Sequence, residues 1–488
     1  MNLSDIFKGK SCEARLVPLI VNLPADLETP VSAFLKLRKV GAKFLLESAD
    51  GVELTGRYTF IGIRPKFKVN ILREKSVIVS LERTIDFPHS TNGDPFSALR
   101  HITRSISLES NPSGLTLLGG LVGHINYEMV GFFEPHLGLL DDCNETHLAS
   151  FYMVDTLLVF DHFTRRMQVI VLVPKGSDSA KIEGERTIDE ILSALRSDIK
   201  IPQTGAKDAN GDFKSNFSRA RFEEIVEEAR KNILKGNIFQ GVLSQALKAK
   251  INIDSFQIYR ALRMLNPSPY MYYLDMDDLA LIGSSPETMV KLSGDIATLR
   301  PIAGTRPRGQ DEAEDRKLEN ELLSDDKEKA EHIMLVDLGR NDLGRACEFG
   351  SVVVDRLMEV ERFSHVMHLT STVTGRLKKG KDQFDLFSSA FPAGTVTGAP
   401  KIRAMELIRQ LEGQRRGPYA GSVGYFSLSG DMDMCITIRT IIKEGNEITL
   451  QAGAGIVADS KPEYEYQETL NKLQALKTAV ANAEGGLI

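Results

Sequence analysis

The stretch FLLESADGVELTGRYTFIGIRPKFKVNI, Phe44 to Ile71, decides the fold of the first part of this 488-residue chain. Short runs of aromatic and β-branched residues alternate there with turns formed by Gly, Asp and Pro, a pattern typical of strands joined by tight connections. The same alternation continues to about residue 195, with few helical segments. The sequence therefore predicts a β-rich N-terminal region.

A polar segment without periodicity, IPQTGAKDANGDFK at 201–214, is the best linker candidate. After it, Ser218 is placed to cap a helix that Gly236 ends. Apolar residues recur at helical spacing between them: Phe222, Ile225, Val226, Ala229 and Ile233. We therefore expect a boundary near residue 210, with an N-terminal region at 1–205 and a catalytic region at 215–485.

The C-terminal half alternates β-type runs with long amphipathic helices. The β-type runs are Ile238 to Leu243, Leu279 to Ile282, Cys435 to Ile442 and Glu447 to Gln451. They are not spaced by single helices, as a parallel doubly wound sheet requires, so the pattern favours an α+β fold with antiparallel sheets.

The composition indicates a small ligand. The formal net charge is −6 and the charged residues are scattered, so there is no basic stripe for a nucleic acid. The chain lacks the roughly 18 consecutive apolar residues that a membrane span needs, and it begins without a signal-peptide core, so we expect no membrane contact and a cytoplasmic location. The four cysteines lie far apart without a CxxC pair, which disfavours disulfides and a zinc site.

Two predicted helices each carry a pair of glutamates three residues apart. The first helix is predicted to begin at Ser324, and the second near Ser460 and Pro462. Residues at this spacing share one helix face. The two acidic faces consist of Glu328 and Glu331 on the first helix, and Glu465 and Glu468 with Lys472 on the second. Carboxylates from two helices suit Mg²⁺, which prefers oxygen ligands, although from the pattern alone solvent-facing acidic pairs are commoner.

Further candidates stand in constrained segments. Glu287 in SSPET follows a β-type run and a proline, and is either a general acid or a helix cap. His368 in HVMHLTSTVTG is by default a structural histidine. The turn LRPIAGTRPRG at 299–309 is rigid, yet carries the inert Ala303 at its centre. Two glycine-rich turns, at 391–401 and 451–457, match neither a P-loop nor a dinucleotide fingerprint.

Thirteen segments, in order, resemble the chorismate-utilising enzyme family, and most closely its anthranilate-forming members. They are LLES, GRYTFIG, GNIFQGVLSQ, NPSPYMYY, GSSPET, RPIAGTRPRG, EHIMLVDLGRND, HVMHLTSTVTG, FPAGTVTGAPK, RRGPYAGSVGYF, CITIRT, QAGAGIVADS and ETLNK. The resemblance implies large antiparallel sheets packed as a sandwich core with helices outside.

Two positions separate the branches of this family. Aminodeoxychorismate synthases usually have a nucleophilic lysine where this chain has Ala303, and salicylate and isochorismate synthases have a water-activating lysine where it has Gln240. Neither residue here does that chemistry. The resemblance therefore implies that ammonia adds at C2 of chorismate and that 2-amino-2-deoxyisochorismate loses pyruvate to give anthranilate.

The resemblance also implies roles for the site residues. Glu331 and Glu468 hold Mg²⁺, with Glu328 and Glu465 in the outer shell; Glu287 is the general acid and His368 assists removal of the C2 proton. The residues implied for substrate binding are Gly304 and Thr305 under the ring, Tyr419 and Arg439 on the enolpyruvyl carboxylate, the backbone of Gly453, Ala454 and Gly455, and Lys472 near the metal.

No cysteine stands in a glutaminase nucleophile turn, so ammonia is expected from a separate glutamine amidotransferase subunit in a hetero-oligomer, or from ammonium salts. The family further implies feedback inhibition by L-tryptophan. Its ammonium and backbone groups are expected to contact Glu47 and Ser48, and its indole Pro269, Tyr270 and Met271, with Arg57 as a further contact; a half-buried strand without a ligand is the alternative.

Three other functions stay open at this stage. An aminodeoxychorismate synthase of folate synthesis is the nearest, since the distinction at Ala303 is not absolute. An isochorismate or salicylate synthase would turn over without ammonia. A non-catalytic tryptophan-sensing subunit would be expected to have lost one of the implied catalytic residues.

Overall fold

The computed structural model describes residues 14–48, 56–90, 92–141, 143–201, 212–362 and 366–486. The strands in these ranges are β1 Ala14–Pro24, β2 Ala42–Glu47, β3 Tyr58–Ile63, β4 Phe67–Ile71, β5 Lys75–Val79, β6 Thr84–Pro88, β7 Ile106–Leu108, β8 Gly120–Ile125, β9 Ala149–Val154, β10 Thr156–Asp161, β11 Arg166–Pro174, β12 Lys214–Ser215, β13 Gln240–Lys250, β14 Tyr270–Asp275, β15 Ala280–Ser285, β16 Thr288–Ser293, β17 Ile296–Leu299, β18 Ile302–Pro307, β19 Val353–Arg362, β20 Val366–Arg376, β21 Gly398–Ala399, β22 Ser422–Ser427, β23 Met432–Ile436, β24 Thr440–Glu444 and β25 Glu447–Ile456.

The α-helices in the same ranges are α1 Pro30–Leu37, α2 Ser97–Ser105, α3 Val130–Phe133, α4 Asp178–Leu195, α5 Arg219–Leu234, α6 Ser255–Leu265, α7 Glu312–Ser324, α8 Asp326–Ala346, α9 Gln383–Ala390, α10 Lys401–Glu412 and α11 Pro462–Glu484. None of these helices has the length and apolar character that crossing a membrane requires.

The strands form two large sheets. One has 13 strands in the main order β12-β13-β25-β24-β15-β14-β2-β3-β10-β11-β1-β7, with β21 beside β13; the other has 12 in the main order β18-β20-β17-β16-β23-β22-β8-β9-β4-β5-β6, with β19 beside β20. In the described ranges only the pairing of β1 with β7 is parallel. Both sheets take strands from either side of residue 210, and 202–211 lie outside the described residues, so the domain boundary stays a prediction.

The two sheets pack face to face around the main core, and helices cover the outer face of the 13-stranded sheet. Strand β10 illustrates this arrangement. Its Leu157 and Val159 belong to the core between the sheets, whereas Leu158 and Phe160 pack on the opposite face with α1, α4, α6 and α11. Successive side chains of a strand point to opposite faces, so a strand covered on both faces is apolar at every position. The predicted α+β fold with a sandwich core and outer helices is confirmed.

Three local predictions need correction. The run 435–442 is not one strand: β23 ends at Ile436 in one sheet and β24 begins at Thr440 in the other. Residues 451–456 are extended within β25 rather than forming a turn. The helix after Ser324 is capped by Asp325, whose carboxylate accepts from the backbone of Lys327 and Glu328, because Ser324 ends the preceding helix.

Replacing Gly62 by alanine is expected to destabilise the fold. The new Cβ would stand 1.9 Å from the ring of Phe44, which is buried on the neighbouring strand. Overpacking of this kind costs about 1–3 kcal/mol of unfolding free energy. Gly344→Ala is the matched control, since its Cβ enters open space on α8 and a helix gains up to about 1 kcal/mol. Denaturant unfolding tests both; equal stability of the two variants would contradict this packing.

Candidate active site

Arg439 lies where the chain crosses from one sheet to the other. Its backbone is left-handed, with a φ of 51°, a conformation that a non-glycine residue keeps only when its surroundings impose it. Within the described ranges, the guanidinium makes no hydrogen bond or ion pair. Burial lowers the pKa of Arg439, and the nearby Tyr419 and Glu468 act in the opposite direction. A largely buried cation without a paired anion is suited to bind an anionic ligand.

Tyr419 and two glycines of β25 form the wall beside Arg439. Tyr419 is buried, and burial raises its pKa to about 12, so its hydroxyl keeps its proton. A Cβ on Gly453 would lie 2.7 Å from that hydroxyl oxygen, and one on Gly455 would lie 2.9 Å from Nε2 of Gln240. Only glycine permits these two approaches. Ala454 between them belongs to a small core behind the strand, so only its backbone is on the site side.

The segment 299–309, which the sequence indicates as a turn, contains strand β18 with a β-bulge. Ala303 stands opposite Leu369 and Thr305 opposite His368, which leaves Gly304 as the extra residue, with a φ of 63°. Nδ1 of His368 donates to the carbonyl oxygen of Gly304 at 2.9 Å. This bond fixes the proton on Nδ1 and the lone pair on Nε2.

His368 is neutral in this environment. Burial lowers its pKa, the hydrogen bond to Gly304 opposes this, and the charge of Arg439 lowers the pKa further. Thr305 completes the group with its hydroxyl 3.0 Å from Nδ1. A neutral imidazole with its lone pair on Nε2 can accept a proton.

Glu287 is a buried carboxyl between β15 and β16. Burial raises its pKa to about 8, and the hydroxyl of Thr395 only partly opposes this. The side chain lines a cleft that Pro301, Leu335 and Gly394 also line. Glu287 is therefore protonated at neutral pH and able to donate its proton.

The glutamates of α8 are each held by a neighbouring side chain. Oε1 of Glu331 accepts from Nε2 of Gln240 at 2.8 Å. Glu328 accepts from Arg306 at 3.3 Å, and the same guanidinium binds the capping Asp325 at 2.8 Å. The sequence did not indicate these bonds, although Arg306 stands within the segment 299–309 that it singled out.

The glutamates of α11 are held in the same way. Glu468 pairs with Lys472 at 2.6 Å, and the ammonium of Lys472 also donates to the carbonyl of Gly453 at 2.9 Å. Burial raises the pKa of Glu465, partly opposed by Ser460 and Lys472, while Glu468 adds to the rise. The two acidic helices therefore meet the same pair of strands, α8 through Gln240 and α11 through Gly453.

The donor set fits a hard divalent cation. In the part of the chain that the structure describes, no three His, Cys, Asp or Glu side chains converge at coordination distance. One carboxylate from each helix, with further positions for water and a ligand, is a mode of binding that Mg²⁺ uses. The magnesium assignment stays a prediction.

The predicted tryptophan-site residues lie on two adjacent strands, with Met271 of β14 opposite Glu47 of β2. The carboxylate of Glu47 is already bound on both oxygens: Tyr259 and Arg263 donate to Oε1, and Arg263 donates to Oε2 at 3.2 Å. An ammonium group would have to compete with them. The buried hydroxyl of Ser48, in contrast, has no partner among the described residues.

The remaining residues of this group differ in their surroundings. Pro269 is half-buried, and the hydroxyl of Tyr270 lies 2.9 Å from both Thr288 and Asp433. Arg57 pairs with Asp161 at the surface. Tyr270 therefore connects this region to β16, directly beside Glu287, whereas Arg57 is engaged elsewhere.

The site contains a half-buried arginine without a paired anion among the described residues, a protonated carboxyl, a neutral histidine and two pairs of carboxylates. Together these groups define an enzyme-like site for a small anionic ligand. The family model for chorismate binding enzymes matches residues 43–478. The chain belongs to this family.

Individual relatives show which members of this family the chain is similar to. The chain is 44% identical to anthranilate synthase component 1 of Aquifex aeolicus, over 96% of this chain and 95% of that protein. The crystal structure of anthranilate synthase component I from Streptococcus pneumoniae is similar with a TM-score of 0.75 at 36% identity, covering 93% of this chain and 99% of that one. The menaquinone-specific isochorismate synthase of Escherichia coli shares the fold, with a TM-score of 0.70 at 20% identity over 98% and 97%.

The raised pKa of Glu287 predicts a pH-dependent stability. Between the ordinary pKa of 4.5 and about 8, the folded chain keeps a proton that the unfolded chain releases. Stability is thus lost as pH rises through this window, by up to about 1.4 kcal/mol per unit. Glu287→Gln stays neutral and removes this loss.

Thermal unfolding of both proteins at pH 5 and pH 8 measures the effect. We expect the wild type to lose stability relative to Glu287→Gln at the higher pH. Glu444→Gln, at an exposed position, is the control and should leave the pH dependence unchanged. A constant difference between wild type and Glu287→Gln would contradict the burial argument.

Proposed function

We propose that the protein is the large subunit of an anthranilate synthase, which converts chorismate and ammonia to anthranilate and pyruvate. The observation that carries the proposal is the amide of Gln240, bound to Glu331 at 2.8 Å. An amide cannot act as a base, so water is not activated there, and the methyl group of Ala303 supplies no nucleophile. Relatives over nearly the whole chain bear the corresponding name.

Arg439 and Tyr419 bind the enolpyruvyl carboxylate. The planar guanidinium matches a carboxylate with two parallel hydrogen bonds, and the protonated hydroxyl of Tyr419 adds a third donor. The amides of Gly453 and Gly455 approach the same group, because neither residue has a side chain to block it. Binding replaces the missing anionic partner of Arg439.

Glu331 and Glu468 would hold Mg²⁺, with Glu328 and Glu465 in the outer shell. The bound cation supplies charge neutralisation for the ring carboxylate. Gln240 and Lys472 orient the two inner carboxylates through the contacts already described. Gly304 and Thr305 lie under the ring.

The chemistry needs one acid and one base. Glu287 donates its proton to the C4 hydroxyl, which leaves as water while ammonia adds at C2 and the ring double bonds shift. His368 then takes the C2 proton at Nε2, the C3–O bond breaks, and the side chain leaves as pyruvate after gaining a proton. Aromatisation of the ring makes this second step favourable.

Ammonia comes from a glutamine amidotransferase subunit in a hetero-oligomer. The relatives' designation as component 1 is that of one part of a multi-component enzyme. Within this proposal the large subunit alone works with ammonium salts, because the amidotransferase supplies only the nucleophile.

L-Tryptophan inhibits the enzyme by binding at one end of the paired strands β2 and β14, where Ser48 follows β2 and Pro269 precedes β14. The hydroxyl of Ser48, which has no partner among the described residues, supplies a hydrogen bond and Met271 an apolar contact, with Pro269 at the edge. Tyr270 couples this region to the active site, since its hydroxyl binds Thr288, the residue after Glu287. Movement of β14 therefore shifts the strand that begins beside the general acid.

The catalytic proposal predicts the product. Purified protein with chorismate, Mg²⁺ and ammonium sulfate at alkaline pH should form anthranilate, identified by fluorescence and chromatography, and should form none when either metal or ammonia is omitted. Aminodeoxychorismate as the product would place the chain in the folate branch. Consumption of chorismate without ammonia would indicate an isochorismate or salicylate synthase.

The regulatory proposal predicts that Ser48→Ala weakens inhibition by tryptophan about tenfold, the equivalent of one lost hydrogen bond, while kcat without tryptophan is unchanged. The Ser48 hydroxyl bonds no other group in the described ranges, so its removal leaves none of those groups unsatisfied and stability should be retained. Ser76→Ala is the matched control, since Ser76 on β5 also has a buried hydroxyl with no partner in the part of the chain that the structure describes. Equal inhibition of the two variants would contradict this location.

A further inference from the structure

A fully buried ion pair stands behind the proposed carboxylate-binding wall. Glu412 ends α10 and Arg416 follows four residues later, and both side chains are only 1% exposed. Their guanidinium and carboxylate meet in two parallel hydrogen bonds, Nε to Oε2 at 2.9 Å and Nη2 to Oε1 at 2.6 Å. Neither residue belongs to the site described above.

The pair binds several parts of the chain at once. Arg416 donates to the carbonyl of Val396 at 2.8 Å and to that of Val242 at 2.7 Å. Glu412 accepts from the backbone and the hydroxyl of Ser244 at 2.7 and 2.9 Å. These contacts join the segment after Thr395, beside Glu287, to strand β13. Ser244 and Val242 stand directly opposite Gly453 and Gly455 in the sheet.

The same guanidinium lies over two aromatic rings. Its central carbon lies 4.9 Å from the ring centre of Tyr127 and 5.6 Å from that of Tyr419. The backbone amides of Arg416 and Gly417 are fixed in turn by the buried carboxylate of Glu128, at 2.7 and 3.2 Å. Tyr419 is thus oriented from behind by a group that does not reach the ligand.

Burying two charges is costly, and a well-packed apolar pair of similar volume often gives equal or greater stability. The pair here forms its contacts with the backbone opposite the glycines and with the ring of Tyr419. We propose that Arg416 and Glu412 are positioning residues that set the distance between the Tyr419 hydroxyl and the Gly453–Gly455 backbone for binding a substrate carboxylate. This inference rests on the proposed function.

Arg416→Lys tests the inference because it keeps the positive charge but loses the planar guanidinium. Lysine cannot form the two parallel hydrogen bonds to Glu412 or the same contacts with the rings of Tyr127 and Tyr419. We expect the KM for chorismate to rise about tenfold, the equivalent of one lost charge-assisted hydrogen bond, with kcat changed less than twofold. Glu412→Gln keeps the shape of the side chain but removes its negative charge, and it serves as a second variant if Arg416→Lys does not fold. Arg100→Lys is the matched control: Arg100 also binds carboxylates and an aromatic ring, that of Phe384, but outside the site.

A double-mutant cycle separates positioning from general stability. If Arg416 acts through Tyr419, then Tyr419→Phe should raise KM less in the Arg416→Lys protein than in the wild type. Additive effects, or an Arg100→Lys protein with the same rise in KM, would overturn the inference. A wild-type protein that makes no anthranilate would instead overturn the proposed function, so the two failures are distinguishable.

Discussion

The pairing of β13 with β25 is the constraint on which the site depends. It runs from Gly241 opposite Ile456 to Lys250 opposite Glu447 and joins parts of the chain that are about two hundred residues apart. Helix α8 is tied to one end of this pair through Gln240, and α11 through Gly453. A one-residue shift in register would turn Gly453 and Gly455 to the opposite face. The contacts that hold both acidic helices to this strand pair would then be lost.

The site also imposes costs on the fold. Arg439 keeps a left-handed backbone, and its guanidinium has no paired anion on any residue that the structure describes. Ala420 beside Tyr419 is left-handed too, with a φ of 61°. Glu287 is buried with a raised pKa. Such features destabilise an isolated domain, and here they are held by two large sheets and by the buried pair of Glu412 and Arg416. Arg439 and Ala420 adjoin the proposed carboxylate pocket, where binding of the ligand would compensate for their cost.

Much of the architecture could be predicted from the sequence, because local patterns determine it. The helix after Ser218 follows from its capping residue and its periodicity, and the acidic faces of α8 and α11 follow from the spacing of their glutamates. The crossing at Arg439 could not be predicted, since residues 435–442 have continuous β propensity and only the tertiary structure decides which sheet each half joins. The occupied carboxylate of Glu47 was missed for a similar reason: its partners Tyr259 and Arg263 are more than two hundred residues away.

We propose above all that Glu331 and Glu468 hold one divalent cation across the strand pair. Titration with Mn²⁺, followed by electron paramagnetic resonance with and without chorismate, tests it in the wild type, Glu331→Gln, Glu468→Gln and the double variant. One shared site predicts that each single change abolishes most of the binding and that the double variant loses little more. Independent partial losses that add together, or binding that survives in the double variant, would contradict the account.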